Sequence, residues 1–186
     1  RGAFIALHEL DEKNKKIGVI TMSAGNHAQA VAFRSQQQGI KSIIVMPEKT
    51  PFTKISKTKA YGAEIILTGR TLDESKLTVE RLINENGFQL VHPFDDPHII
   101  TGQGTIGLEI MDEVPDLDYL VIPIGGGGLI SGISIAAKSV NPDIKIIGVE
   151  SELYPSMSRS LAGLNLQSGG DTLAEGIAVK TPGELT

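Results

Sequence analysis

Short apolar runs alternate along the chain with longer segments in which apolar residues recur every three or four positions. The short runs predict strands and the longer segments predict helices. The predicted strands are Ile17–Thr21, Ser42–Met46, Glu64–Leu67, Gln89–Val91, Tyr119–Ile124 and Lys145–Val149. The predicted helices are Gly2–Leu10, His27–Gln38, Phe52–Tyr61, Leu72–Asn86, Pro97–Glu113, Leu129–Val140 and Pro155–Ala162. Strands that alternate with helices in this way are typical of an α/β fold.

Several residues mark the ends of these elements. Gly39 and Gly62 follow predicted helices at positions where a left-handed residue commonly ends a helix. The run Asp95-Asp96-Pro97 offers an N-cap and a proline suited to the first helical turn. Ser42–Met46 is almost continuously apolar, which favours a parallel sheet covered by helices on both faces. The polar, glycine-rich stretch Leu161–Gly170 predicts a surface loop.

Composition narrows the range of functions. The chain has 186 residues with 40% hydrophobic and 21% charged residues and a net charge of -5, which suits one soluble domain or a closely joined pair. No basic stripe indicates a nucleic-acid partner, and no apolar stretch reaches the length of a membrane span. Cysteine is absent, which excludes disulfides and thiolate metal sites. We expect a cytoplasmic protein.

Four consecutive glycines, Gly125 to Gly128, join a buried strand to a helix, and we call them the glycine loop. Glycine lets a backbone approach a ligand closely, and the start of a helix presents unpaired N–H groups with a positive dipole end. The pattern therefore predicts a phosphate site. The alternative is a tight turn without a ligand, although one or two glycines would suffice for that.

A second strand-to-helix junction, which we call the first loop, spans Thr21–Gln29. Ser23 and Asn26 carry hydrogen-bonding side chains, and Gly25 permits an unusual turn. The exposed N–H groups of such a junction could hold a carboxylate, and Asn26 could contact a phenolate or carbonyl oxygen. The alternative is that Ser23 or Asn26 only caps the helix.

Together the two loops resemble those of the fold-type-II pyridoxal-phosphate enzymes, and most closely the branch of threonine dehydratases and serine racemases. That branch has Lys-x-Arg-Gly-Ala, then Ser-x-Gly-Asn-His-[Ala/Gly]-Gln, then Gly-Gly-Gly-Gly-Leu. The resemblance covers essentially the whole chain and includes Val45–Pro47, Tyr61–Glu64, His92–Pro97, Gly102–Thr105 and Thr172–Ala178. Cysteine synthases on the same fold look like Ser-Gly-Asn-Thr in the first loop, so His27 argues against that branch.

The resemblance implies both a cofactor and the residues that bind it. Pyridoxal 5'-phosphate would be held through its phosphate by Gly125, Gly126, Gly127, Gly128 and Leu129, and through its ring oxygen by Asn26. The substrate carboxylate would be bound by Ser23, Ala24, Gly25, Asn26 and His27. Residues 1–100 would belong mostly to the smaller cofactor- and substrate-binding domain, and residues 101–186 to part of the larger phosphate-binding domain. We expect both domains to be incomplete.

The resemblance also implies a reaction, which is deamination of L-threonine and of L-serine by β-elimination to a 2-oxo acid and ammonia. The family's Schiff-base lysine lies two positions before Arg-Gly-Ala, so we expect it just before Arg1, in an intact protein that is a homo-oligomer. This chain alone would then contain no catalytic residue and would be inactive. We expect a small amino acid as the only partner besides other subunits, and no membrane.

Three alternatives and one minor site stay open. A serine racemase is the alternative within the branch, but racemases carry a serine where this chain has Ala24. A methyl group cannot donate the proton that racemisation needs on the second face. A non-catalytic phosphate-ligand domain and a structural fragment are the alternatives from other classes. We expect no metal ligand, although Asp171 and Glu175 lie in a stretch where some relatives bind a divalent cation.

Overall fold

A computed structural model describes residues 1–70, 72–164 and 168–186, and in residues 72 and 73 it describes the backbone only. Part of the predicted loop at Leu161–Gly170, residues 165–167, therefore lies outside the described residues. The described strands are β1 Val19–Met22, β2 Ser42–Met46, β3 Glu64–Leu67, β4 Gln89–Leu90, β5 Tyr119–Pro123 and β6 Lys145–Val149. The helices are α1 Gly2–His8, α2 Glu12–Ile17, α3 Asn26–Gln38, α4 Phe52–Lys59, α5 Leu72–Asn86, α6 Pro97–Glu113, α7 Gly128–Val140 and α8 Ser156–Leu161. None of these helices is long and apolar enough to cross a membrane.

The chain folds as two compact units, one of Arg1 and residues 3–93 and the other of Gly2 and residues 94–186. In the first unit, four parallel strands form a sheet in the order β3-β2-β1-β4. The chain moves outward from β1 through β2 to β3, then returns to place β4 on the other side of β1. The connections therefore reverse direction at β1, and in open α/β sheets ligands bind beyond the carboxyl ends of the strands at such a point.

Helices cover both faces of this sheet. Ile20, Ile43 and Val45 point to one face and pack with Val79 of α5 and with Phe88. Ile44 and Met46, the alternate residues of β2, are fully buried on the other face, where α3 contacts β1 and β2. All five residues of β2 are buried. The predicted parallel sheet covered by helices is confirmed in this unit.

The second unit contains a parallel pair, β5 and β6, and the closely packed helices α6 and α7. A Cβ atom built on Gly104 would lie 3.2 Å from the carbonyl oxygen of Gly132, and one on Gly107 would lie 2.8 Å from that of Ile133. These glycines therefore let the two helix backbones approach each other. Beneath the helices, Leu120 and Ile122 of β5 point into a core with Ile133.

Nothing among the described residues covers the opposite face of β5, where Val121 is 65% exposed and Tyr119 is 50% exposed. On β6, Ile147 and Val149 are also exposed. The α/β prediction is confirmed.

The main difference between the predicted and the observed elements lies at the first strand. The first strand begins at Val19, because the preceding residues form the short helix α2, which the sequence pattern did not predict. That helix has no buried residue, so it carries no apolar periodicity. Its N-cap is Asp11, whose side chain accepts a hydrogen bond from the Asn14 N–H at 2.7 Å. Other predicted ends differ by one or two residues.

Candidate active site

The first loop follows the carboxyl end of β1, the strand at which the connections of the first sheet reverse. The Ser23 N–H donates to the carbonyl of Val45, the last paired position of β2 beside β1, at 3.1 Å. The Ser23 side chain is buried and its Oγ accepts from the Gly25 N–H at 3.2 Å. Ser23 therefore shapes the turn between β1 and α3.

No side chain caps the start of α3. Gly25 is the N-cap residue and Asn26 is the first helical residue, so neither Ser23 nor Asn26 has the capping role that was the alternative reading. The Asn26 side chain is exposed and bonds to no other described residue. The first N–H groups of a helix have no partner inside the helix and attract anions. This junction is therefore suited to a carboxylate.

His27 has a structural partner. Its Nε2 lies 3.0 Å from the carbonyl oxygen of Val91, which directly follows β4. The ring thereby joins the start of α3 to the strand on the far side of β1. Of the predicted carboxylate-binding residues, Ala24 and Gly25 are half-buried between Ser23 and Asn26. The structure brings all five together in one turn.

The glycine loop connects β5 to α7. Ile124, just before it, donates to the carbonyl of Val149 at 2.8 Å, which holds the loop at the carboxyl ends of both strands. Gly127 is the N-cap of α7, and its φ of 99° is a left-handed conformation that favours glycine. Within the described part of the chain, the N–H groups of Gly125 to Gly128 donate to no protein acceptor.

Protein atoms fill the side-chain directions of these glycines. A Cβ on Gly126 would collide with the Phe94 ring, and one on Gly128 would lie 2.7 Å from the Phe94 carbonyl oxygen. A Cβ on Gly127 would lie 2.6 Å from the Met157 Cε and 2.7 Å from the Thr186 Oγ1. Packing within the protein therefore favours glycine at these positions, in addition to the close ligand approach that the sequence predicts.

Adjacent aspartates have different partners near this loop. Asp96 caps α6, since its Oδ1 accepts from the N–H groups of His98 at 2.7 Å and Ile99 at 3.2 Å. The predicted N-cap is confirmed at this residue. Asp95 instead accepts backbone N–H groups from the segment 183–186, and Thr186 in turn donates to the Gly126 carbonyl at 2.6 Å.

These contacts of Phe94, Asp95 and Thr186 were missed by reasoning from the sequence. They join residues about 30 to 90 positions apart, which no local pattern reveals. The only sequence signal for these contacts was that His92–Pro97 is one of the segments that resemble the family, and the resemblance implied no role for it.

The glycine loop fits the phosphate of pyridoxal phosphate. Its N–H groups and those of the first turn of α7, including Leu129, lie at the positive end of a 13-residue helix. Leu129 also packs its side chain against the core of the second unit. Asn26 presents an exposed amide suited to a polar ring substituent. Asp171 and Glu175 are exposed, and among the described residues no three or more His, Asp or Glu side chains are grouped as a metal site would need.

Comparison with known proteins agrees with this chemistry. The family model described as pyridoxal-phosphate dependent enzyme matches residues 1–186. L-threonine ammonia-lyase of Thermotoga maritima is 52% identical over all of this chain, which covers 47% of that relative. The chain thus spans about half the length of the curated relatives it matches.

Solved structures have the same fold. The processed form of threonine deaminase isoform 2 from Solanum lycopersicum superposes with a TM-score of 0.92 at 43% identity, covering 99% of this chain and 51% of that one. Serine racemase from Dictyostelium discoideum has a TM-score of 0.89 at 40% identity, covering 100% of this chain and 60% of that one.

Proposed function

The chain belongs to the family of pyridoxal-phosphate-dependent enzymes, and we propose that the intact protein deaminates L-threonine, with L-serine as a second substrate. The products would be a 2-oxo acid and ammonia. The observation that supports this proposal is a pair of strand-to-helix junctions suited to anions, each at the carboxyl end of a parallel strand. The similarity to threonine ammonia-lyase and threonine deaminase supports the choice of substrate.

The glycine loop would hold the cofactor through its phosphate. Gly125 to Gly128 offer N–H groups that have no acceptor among the described residues, and Leu129 adds one from the first turn of α7. Asn26 would donate from its amide to the ring oxygen. When bound, pyridoxal phosphate supplies an electron sink that stabilises negative charge at the substrate Cα. The protein contributes by positioning the cofactor and the substrate relative to each other.

The first loop would bind the substrate carboxylate through Ser23, Ala24, Gly25, Asn26 and His27. The His27 ring is bonded to the Val91 carbonyl, so its contribution would come from the backbone. Ser23 Oγ holds the turn through the Gly25 N–H. With the carboxylate fixed at the start of α3, the substrate loses rotational freedom and its Cα bonds take one orientation.

The lysine that carries the cofactor would lie two positions before Arg1. No lysine of this chain would then form the Schiff base, and the chain alone would be inactive. Borohydride reduction of the intact, cofactor-loaded protein followed by peptide mapping tests this. We expect one labelled lysine, two positions before Arg1. Stoichiometric label on a lysine within residues 1–186 would contradict the assignment.

We further propose that residues 1–100 belong mostly to a cofactor- and substrate-binding domain and residues 101–186 to a phosphate-binding domain. We also propose that the protein is cytoplasmic and forms a homo-oligomer. The exposed apolar side chains of β5 and β6 favour burial against further protein, either other segments of the intact protein or another subunit. Light scattering of the intact protein would measure its oligomeric state, and a monomer would contradict that part.

Serine racemisation is the second candidate, favoured by the similarity to serine racemase. Ala24 argues against racemisation, because a methyl group cannot transfer a proton. A non-catalytic phosphate-ligand domain is the candidate from another class. An assay of the intact protein with L-threonine, with and without pyridoxal phosphate, separates the classes. Cofactor-dependent 2-oxo acid supports the lyase, while tight cofactor binding without product supports the binding domain.

A further inference from the structure

We propose that Asp95 and Thr186 are positioning residues of the glycine loop. They would fix the peptide between Gly126 and Gly127 so that its N–H group points toward the cofactor phosphate. This inference rests on the proposed function in one respect, namely that the glycine loop binds the phosphate. It assigns a role to side chains that belong to neither predicted set of binding residues.

The Gly126 carbonyl is held by two donors. The Thr186 Oγ1 donates to it at 2.6 Å and the Gly183 N–H at 3.1 Å. A peptide unit is planar and trans, so its carbonyl and the next N–H point in opposite directions. With the carbonyl bonded toward residues 183 and 186, the Gly127 N–H is directed away from them. Flanking glycines would otherwise let this peptide rotate easily.

Asp95 fixes the segment that supplies those donors. Its Oδ2 accepts from the Glu184 N–H at 3.1 Å, and its Oδ1 accepts from the N–H groups of Leu185 at 2.9 Å and Thr186 at 3.1 Å. Hydrogen bonds to a charged carboxylate are stronger than those between neutral groups. Three consecutive N–H groups on one carboxylate determine the path of this segment.

The segment is also bonded to the helix after the loop. Ser131, in the first turn of α7, donates its Oγ to the carbonyl oxygen of Thr186 at 3.3 Å. Gly183 has no room for a side chain, because a Cβ there would collide with the Asp95 carboxylate. The position of Thr186 is therefore set from two sides, by Asp95 and by α7.

The neighbouring aspartate provides a matched control. Asp96 also accepts two backbone N–H groups, but it caps α6 and has no bond to the segment 183–186. Loss of either carboxylate removes charge-assisted backbone hydrogen bonds, so both losses should destabilise the fold. Only the loss of Asp95 should disturb the glycine loop.

The experiment measures cofactor affinity and stability in the intact protein and four variants. Asp95→Ala and Thr186→Val remove the two proposed positioning groups, Thr186→Ser keeps the hydroxyl, and Asp96→Ala is the control. The dissociation constant for pyridoxal phosphate comes from absorbance titration of the apo protein. The melting temperature comes from the same samples, and the phosphorus NMR linewidth reports the bound phosphate.

We expect Asp95→Ala and Thr186→Val to raise the dissociation constant at least about tenfold, which corresponds to about 1.4 kcal/mol. Their bound phosphate resonance should broaden, because the loop holds it in more than one arrangement. Thr186→Ser should restore the affinity to within about threefold of wild type. Asp96→Ala should lower the melting temperature and leave affinity and linewidth unchanged.

Two results would overturn the inference alone. One is wild-type cofactor affinity in both Asp95→Ala and Thr186→Val. The other is an equal loss of affinity in Asp96→Ala, since a general loss of stability would then explain the effect. A wild-type protein that binds no pyridoxal phosphate would overturn the proposed function and the inference together.

Discussion

The Nε2 atom of His27 lies 3.0 Å from the carbonyl oxygen of Val91. This bond connects the first turn of α3 to the residue after β4, across the strand where the sheet connections reverse. The side chain therefore holds the first loop in place. If the proposed carboxylate site is correct, the ring shapes that site and the His27 backbone provides the contact.

Replacing the His27 ring should reduce the stability of the fold more than it reduces kcat. We expect His27→Ala to lower the free energy of unfolding by about 1–2 kcal/mol, because a bonded carbonyl loses its donor. The KM for L-threonine should rise and kcat should change less. Urea denaturation and steady-state kinetics of the intact protein measure both effects.

A suitable control is Gln29→Ala on the same helix, since the Gln29 side chain takes no part in this hydrogen bond and its loss should change stability little. Unchanged stability in His27→Ala together with complete loss of activity would show that the ring itself contacts the substrate or cofactor.

The packing of α6 on α7 gives a second prediction. A Cβ on Gly107 would lie 2.8 Å from the Ile133 carbonyl oxygen, in a backbone that cannot yield easily. We expect Gly107→Ala to destabilise the protein by about 1–3 kcal/mol. Gly176→Ala is the control, because a Cβ there would meet nothing within 4 Å. Equal unfolding free energies for the two variants would contradict the observed helix packing.

The glycine loop gives a third prediction. A Cβ on Gly126 would collide with the Phe94 ring, so Gly126→Ala should lower both stability and cofactor affinity. In the double variant Gly126→Ala/Phe94→Leu, the smaller leucine side chain replaces the ring, and part of the lost stability should be recovered. A double-mutant cycle with Phe94→Leu alone measures this coupling, which we expect to be about 0.5–3 kcal/mol. Additive effects would show that the ring does not limit the loop.

Local patterns in the sequence predicted most elements and both loops. The glycine loop and the Asp96 cap both follow from rules that act over a few residues. Helix α2 escaped prediction because it buries no side chain, so no periodicity marks it.

The partners of the glycine loop could not be predicted for a different reason. Asp95 and Asp96 are adjacent and chemically identical, yet one bonds to residues 184–186 and the other caps α6. Tertiary structure decides which of the two carboxylates caps α6 and which binds residues 184–186. The same holds for Phe94, whose ring fills the space beside Gly126.

Ala24 gives a fourth prediction, which separates the lyase from the racemase. With L-serine, the intact protein should form pyruvate much faster than D-serine, because the position carries a methyl group that cannot transfer a proton. Ala24→Ser should raise the ratio of D-serine to pyruvate. Following both products in one reaction measures the ratio. D-serine formed at a rate comparable to pyruvate by the wild-type protein would favour the racemase.

The central claim is that the intact protein deaminates L-threonine with pyridoxal phosphate. The most direct test is the simultaneous measurement of 2-oxobutyrate and ammonia from L-threonine by the purified intact protein, before and after removal of the cofactor. We predict equal amounts of the two products, loss of both on cofactor removal and recovery when pyridoxal phosphate is added back. A protein that retains pyridoxal phosphate and forms neither product would contradict the claim.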